Sequence, residues 1–132
     1  MNNTKKQLTE LQQKISETWD LLEIDSQINK LSELEDEMQK PRFWNNAEDA
    51  AKVSKEHESL RTEIKTWKDM KDQVGELINL FGDLEKNPDE EVSQMIEQQV
   101  VDLLKRFEKQ EFFVLLNGKH DKRNAIVTFQ AG

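Results

Sequence analysis

AEDAAKVSKEHESLRTEIKTWKDMKDQVGELINLFGDL, residues 47–84, decides the fold. Within it Ala50, Val53, His57, Leu60, Ile64, Trp67, Lys71, Val74, Ile78 and Phe81 succeed one another at alternating steps of three and four. That rhythm holds one stripe of an α-helix against a partner for more than four heptads, which is the coiled-coil pattern. At roughly 1.5 Å per residue the helix extends about 55 Å. Gly75 is tolerated inside it at a cost of about 1 kcal/mol relative to alanine, and Gly82 is where the sequence allows it to stop.

The residues just before this helix read as a corner. Pro41 biases Lys40 away from helix and removes a donor, so the preceding segment ends there. Asn46 can accept from an early helical N–H, with Asp49 placed to reach back. Phe43 and Trp44 are predicted to lock the corner by packing near Ala50 or Val53, rather than to line a ligand cleft, because no convergent charges accompany them. Further back, Leu8, Leu11, Ile15, Trp19 and Leu22 write one apolar stripe, and Ile28, Leu31, Leu34 and Met38 write another. Asp25 is a candidate cap between them. Glu23 to Ser26 holds no proline or glycine, so pattern does not decide between two helices and one bent helix.

Downstream, Asn87-Pro88-Asp89-Glu90 offers a second helix start, with proline at the first helical position. The helix begun there uses Val92, Ile96, Val100, Leu103 and Phe107, runs toward Val114 and meets a terminator at Asn117-Gly118. A link this short makes the two long helices antiparallel neighbours. Two helices alone leave Met70, Leu77, Met95 and Leu104 poorly covered, so three or four must pack together. The predicted fold is all-α: an antiparallel helical bundle over residues 1–118, with helices near Thr4–Glu23, Ser26–Gln39, Ala47–Gly82 and Pro88–Leu116. Residues 119–132 are expected to be a linker and the first strand, Ala125 to Phe129, of a truncated next domain.

Composition fits long solvated helices. Apolar and charged residues each make up 35% of the chain, too polar for a thick core and too regularly patterned for disorder. There is no cysteine, which removes disulfides, thiolate metal sites and a cysteine nucleophile. The polar start and the lack of a long apolar run predict neither a secretory leader nor a membrane span, and hence a cytoplasmic protein. From Glu76 to Leu104 eight acids face one lysine, whereas Lys105 to Gly132 carries six bases and three acids. The acidic stretch is unsuited to nucleic acid and compatible with a basic protein surface, while most of these charges keep the helices soluble.

Chemistry is harder to find. The two histidines, His57 and His120, lie far apart. His57 reads as a satisfied interface residue and His120, beside Asp121, as part of a solvated loop. Acid pairs such as Glu56 with Glu63 and Glu90 with Glu97 arise freely at this charge content. Trp19 and Trp67 sit on apolar stripes, and no glycine-rich phosphate loop or serine with a base in register is present. No catalytic, cofactor-binding or metal-binding residue is assigned. Two classes remain: an accessory domain presenting a rigid helical face to a large assembly, or a self-associating coiled-coil spacer using Val53 to Phe81.

Two runs carry a resemblance. Leu34-Glu35-Asp36-Glu37-Met38-Gln39-Lys40-Pro41-Arg42-Phe43-Trp44-Asn45 resembles the helix end and corner of the first domain of bacterial peptide chain release factors. The run from Leu115 through Asn117-Gly118-Lys119-His120-Asp121 to Ala131-Gly132 resembles that family's passage into its second domain. The Phe-Trp corner and the Gly-x-x-Asp turn point to the type 2 branch. His120 stands where tyrosine is usual and Asn117 where serine is common, without disturbing the turn chemistry. The resemblance implies translation termination at UGA and UAA codons. It also implies that the codon-reading tripeptide and the Gly-Gly-Gln loop lie outside this sequence. It further implies a mobile helical domain near the stalk base of the large ribosomal subunit, with the recycling GTPase as a second partner. The chain by itself is expected to be a monomer or a weak dimer held by its tail.

Overall fold

The computed structural model describes Asn2–Asn117, all of it helix apart from short connections. Four α-helices occur in order: α1 (Asn2–Leu21), α2 (Ile24–Met38), α3 (Ala47–Lys86) and α4 (Glu90–Asn117). A 3₁₀ turn, Pro41–Asn45, joins α2 to α3. The all-α expectation therefore holds, and there is no strand among the described residues. The strand expected at Ala125 to Phe129, the boundary expected at residue 118 and His120 lie outside the described residues.

The chain divides into two compact units. One joins the chain through Leu22 to the chain from Asp69 onward, and the other is Glu23–Lys68. In the first, α1 runs antiparallel to the later part of α3. Lys5 Nζ meets Glu85 Oε2 at 3.9 Å near one end, and the Lys71 ammonium lies 4.3 Å from the Trp19 ring centroid near the other. Helix α4 returns along α3, with the Arg106 guanidinium donating to Gln73 Oε1 at 2.5 Å, and it also packs on α1. The core is the meeting of three stripes: Leu8, Leu11, Ile15 and Trp19; Met70, Val74, Leu77, Phe81 and Leu84; Ile96, Val100, Leu103, Phe107 and Val114. The members follow at three, four or, from Phe107 to Val114, seven residues, so each helix buries one face and solvates the rest.

The second unit has a thinner core. Ile24 and Leu34 of α2 and Ala50, Ile64 and Trp67 of α3 are buried, but Ile28 is exposed, and Leu31, Val53 and Leu60 are half-buried. Across α2 and α3, His57 Nε2 lies 3.0 Å from Glu35 Oε2. Asn46 caps α3 as its sequence implies, its Oδ1 accepting from the Asp49 N–H at 3.1 Å.

Several boundaries depart from the sequence reading. Asp25 does not cap α2. Leu22 N–H still bonds to Thr18 at 2.8 Å, Glu23 takes φ 55° in the left-handed region, and Gln27 N–H restarts the helix on the Glu23 carbonyl at 3.0 Å. A left-handed non-glycine costs on the order of 1 kcal/mol, which the complete burial of Ile24 and near-complete burial of Leu22 offset. Two helices are thus present, not one bent helix. Pro88 lies ahead of α4 rather than inside it. Asp89 is the cap, its Oδ1 accepting from Glu91 N–H at 3.0 Å and Val92 N–H at 3.3 Å.

The buried stripe of α3 also changes phase. Lys71 is exposed and Ile78 half-buried, while Met70 and Leu77 are buried instead. Beyond Trp67 the helix faces both α1 and α4, so its buried arc centres between two partners. A straight helix also drifts about 20° per heptad against a 3.5-residue repeat.

Gly82 does not end α3, which continues to Lys86 as a helix of 40 residues. A methyl group built at Gly82 or Gly75 meets nothing within 4 Å. Gly82→Ala is therefore expected to stabilise the protein by roughly 0.5–1 kcal/mol through lost unfolded-state entropy. Urea melts followed by circular dichroism check this; a lower midpoint would show that the position is strained or in contact.

Candidate functional site

The sequence assigns no catalytic residue, so the question is where the structure brings chemistry-bearing groups together. His57 is engaged by Glu35 and its side chain is 18% exposed, which matches the satisfied interface histidine expected. Glu56 and Glu63 lie on α3, and Glu90 and Glu97 on α4. Among the described residues, no group of three or more histidines or acids is arranged to hold a metal ion. On the solvent side of α3, Arg61 donates to Glu58 through Nε at 3.1 Å and through a terminal nitrogen at 2.5 Å. Those hydrogen bonds hold the Glu58 carboxyl below its ordinary range and raise the Arg61 guanidinium above its own. Both groups stand in solvent one helical turn apart, the arrangement of an ordinary surface pair.

Trp67 is buried, and the Trp19 ring is covered by the Lys71 ammonium, so both tryptophans belong to the core as their stripes imply. Part of the acidic character of the α3–α4 region is structural: Asp89 caps α4, and Glu90 and Glu91 sit in its first turn, where carboxylates oppose the helix dipole.

The corner differs most from expectation. Phe43 and Trp44 meet edge-to-face, with ring centroids 4.7 Å apart at 86°. Phe43 is half-buried, but Trp44 is 59% exposed and does not lock the corner. The 3₁₀ turn explains this. With three residues per turn, consecutive side chains point about 120° apart, so adjacent aromatics cannot face the same core. An open groove of about 530 Å³ adjoins them, lined by Glu37, Lys40, Arg42, Phe43, Asp49 and Val53 among others. Lys40 is already paired with Glu37 at 3.4 Å, leaving a mixed-charge trough without a convergent set of polar groups. Trp44→Ala is accordingly expected to change stability by less than about 0.5 kcal/mol, the ordinary range for a surface position. A loss near the 3 kcal/mol typical of a buried aromatic, measured in denaturant, would restore the locking role.

Sequence reasoning misses the end of α4. Phe112 is 60% exposed, Phe113 41%, Leu115 64% and Leu116 65%, while Val114 between them is buried. The sequence carries a signal: five consecutive apolar residues span more than a full helical turn, and no helix buries all of them against one neighbouring face.

These features describe a helical scaffold with several apolar side chains exposed, and sequence comparison places it. The profile of the PCRF domain matches residues 26–132, and the chain belongs to that family. Peptide chain release factor 2 of Sulfurovum sp. (strain NBC37-1) is 30% identical over 125 residues, covering 95% of this chain and 34% of that protein. The protein of the same designation from Staphylococcus aureus (strain COL) is 24% identical across 100% of this chain and 36% of its own length. That of Exiguobacterium sp. is 32% identical over 103 residues, or 78% of this chain and 28% of the relative. The chain thus spans about a third of the length of the curated relatives it matches.

Proposed function

We propose that this chain is the helical accessory domain of a class I release factor of type 2, acting in translation termination on the ribosome. The observation that carries the reading is the PCRF-domain match across residues 26–132. The designation shared by its relatives supports the type, and with it UGA and UAA as the codons of the complete factor. Codon reading and peptidyl-tRNA hydrolysis belong to the parts of the factor beyond this third. The chain's own contribution is a rigid helical surface for the stalk base of the large subunit and for the GTPase that recycles the factor. Its place is the cytoplasm; no helix among the described residues is long and apolar enough to cross a membrane.

The competing reading, a self-associating coiled-coil spacer, requires the α3 seam to be free. Trp67, Val74 and Phe81 of that seam are buried within a single chain, with Met70 and Leu77 beside them. A homotypic partner has little left to bury along the part of the seam from Trp67 to Phe81.

The test exchanges the matched third of the Sulfurovum relative for this chain and measures peptide release from ribosomes halted at UGA, UAA and UAG. Release at UGA and UAA but not UAG is expected, and the isolated chain releases nothing at any codon. Release by the isolated chain, or a folded chimaera inactive at UGA, overturns the proposal.

A further inference from the structure

Helix α4 carries a second regular stripe on its solvent side. Gln98, Val101, Lys105, Glu108, Phe112 and Leu115 follow one another at alternating steps of three and four, the heptad rhythm that holds a helix against a partner. All six are exposed, and none belongs to the stripe from Ile96 to Val114 that α4 buries within the chain. Val101, Phe112 and Leu115 are among the large apolar side chains that reach solvent, and they bracket the two charges at the centre. An exposed apolar face bearing charges in a fixed order marks an interaction surface rather than a solvated one.

We propose that this face is a docking surface for a second copy of the chain, with the two α4 helices antiparallel. The order of residues along the stripe identifies the occupant, because the stripe is complementary to itself. Laid antiparallel on its copy, it sets Lys105 against Glu108, Val101 against Phe112 and Gln98 against Leu115, and the twofold axis repeats each pair. Asp102 and Lys109, each one residue past a member of the stripe, flank it on one side and add an opposite-charge pair across the same arrangement. A parallel pairing would instead oppose Lys105 to Lys105 and Glu108 to Glu108. The contact runs along about five helical turns, and charges inside such a seam fix the register at a cost in stability. The dimer is therefore weak, forming at high protein concentration, and the chain is a monomer when dilute. The surface lies on a different helix from the α3 seam, and the inference is independent of the termination reading.

Sedimentation of the whole chain from micromolar to millimolar concentration is expected to show a monomer–dimer equilibrium. Lys105→Glu and Glu108→Lys each bring like charges together at both symmetry-related pairs, and each alone should weaken the dimer by about tenfold or more. Both positions are exposed, so circular dichroism should report unchanged helix content. Mixing the two variants in equal amounts restores opposite charges at both pairs and should recover the original association. The direction of pairing is read separately, since the chain has no cysteine of its own. Oxidising Val101→Cys together with Phe112→Cys should link the two different variants several-fold more than either variant to itself. A chain that stays monomeric at millimolar concentration, a dimer indifferent to both reversals, reversals that the mixture does not rescue, or Val101→Cys linking mainly to itself would overturn the proposal.

Discussion

Trp67→Ala is expected to destabilise the protein by about 3–5 kcal/mol, the range for deleting a large buried aromatic. The ring is 1% exposed and is the largest fully buried side chain of the described residues. It lies on α3 where the buried stripe changes phase, one residue before the boundary between the two compact units at Lys68 and Asp69. Removing it leaves a cavity that its neighbours cannot readily refill, because the backbone there belongs to a single continuous helix that cannot collapse inward. Urea denaturation of the two proteins, followed at 222 nm, measures the difference. A loss below about 1 kcal/mol would mean that the site collapses freely and that the stripe does not depend on this ring.

Phe107→Ala should have an effect of similar size, again about 3–5 kcal/mol, for a different reason. Phe107 is 2% exposed in the middle of the buried stripe of α4, between Leu103 and Val114, and so belongs to the core shared by three helices. Val101→Ala on the same helix is the control. Val101 is 44% exposed, and its loss should stay within about 0.5 kcal/mol. Parallel thermal melts of the two variants read the contrast. Equal losses would show that α4 is not held by the face assigned to it.

The structure differs from the sequence expectations for identifiable reasons. The stripes of α1 and α4 are legible because every member repeats at helical spacing and each helix meets its partners along one side. The N-cap at Asn46 is legible because a cap is local: it needs one side-chain oxygen and an N–H three residues on. Trp44 is exposed where the sequence suggests burial, because its exposure depends on the pitch of a 3₁₀ turn, which composition does not encode. Pro88 lies two residues ahead of Glu90, the first residue of α4, rather than inside the helix. Asn87-Pro88 and Asp89 both qualify as starts, and only the bonds made by Asp89 choose between them. Of the run Phe112–Leu116 the sequence reading takes up only Val114, although five consecutive apolar residues exceed what one helical face holds.

By itself the sequence determined that the described residues are helical, where their helices broadly lie, the central members of the stripes that α1 and α4 bury, and which family the chain resembles. Those properties arise from periodicity, capping chemistry and two short motifs, all of which act over a few residues. The tertiary structure alone decided that α1 and α2 separate at a left-handed Glu23, that α3 runs unbroken past Gly82, and that its buried face shifts from Lys71 to Met70. It also decided which aromatic residues reach solvent. Each of those choices depends on which helix lies opposite. A residue at the edge of a stripe is buried or exposed according to a neighbour brought there from elsewhere in the chain, and no local pattern carries that information.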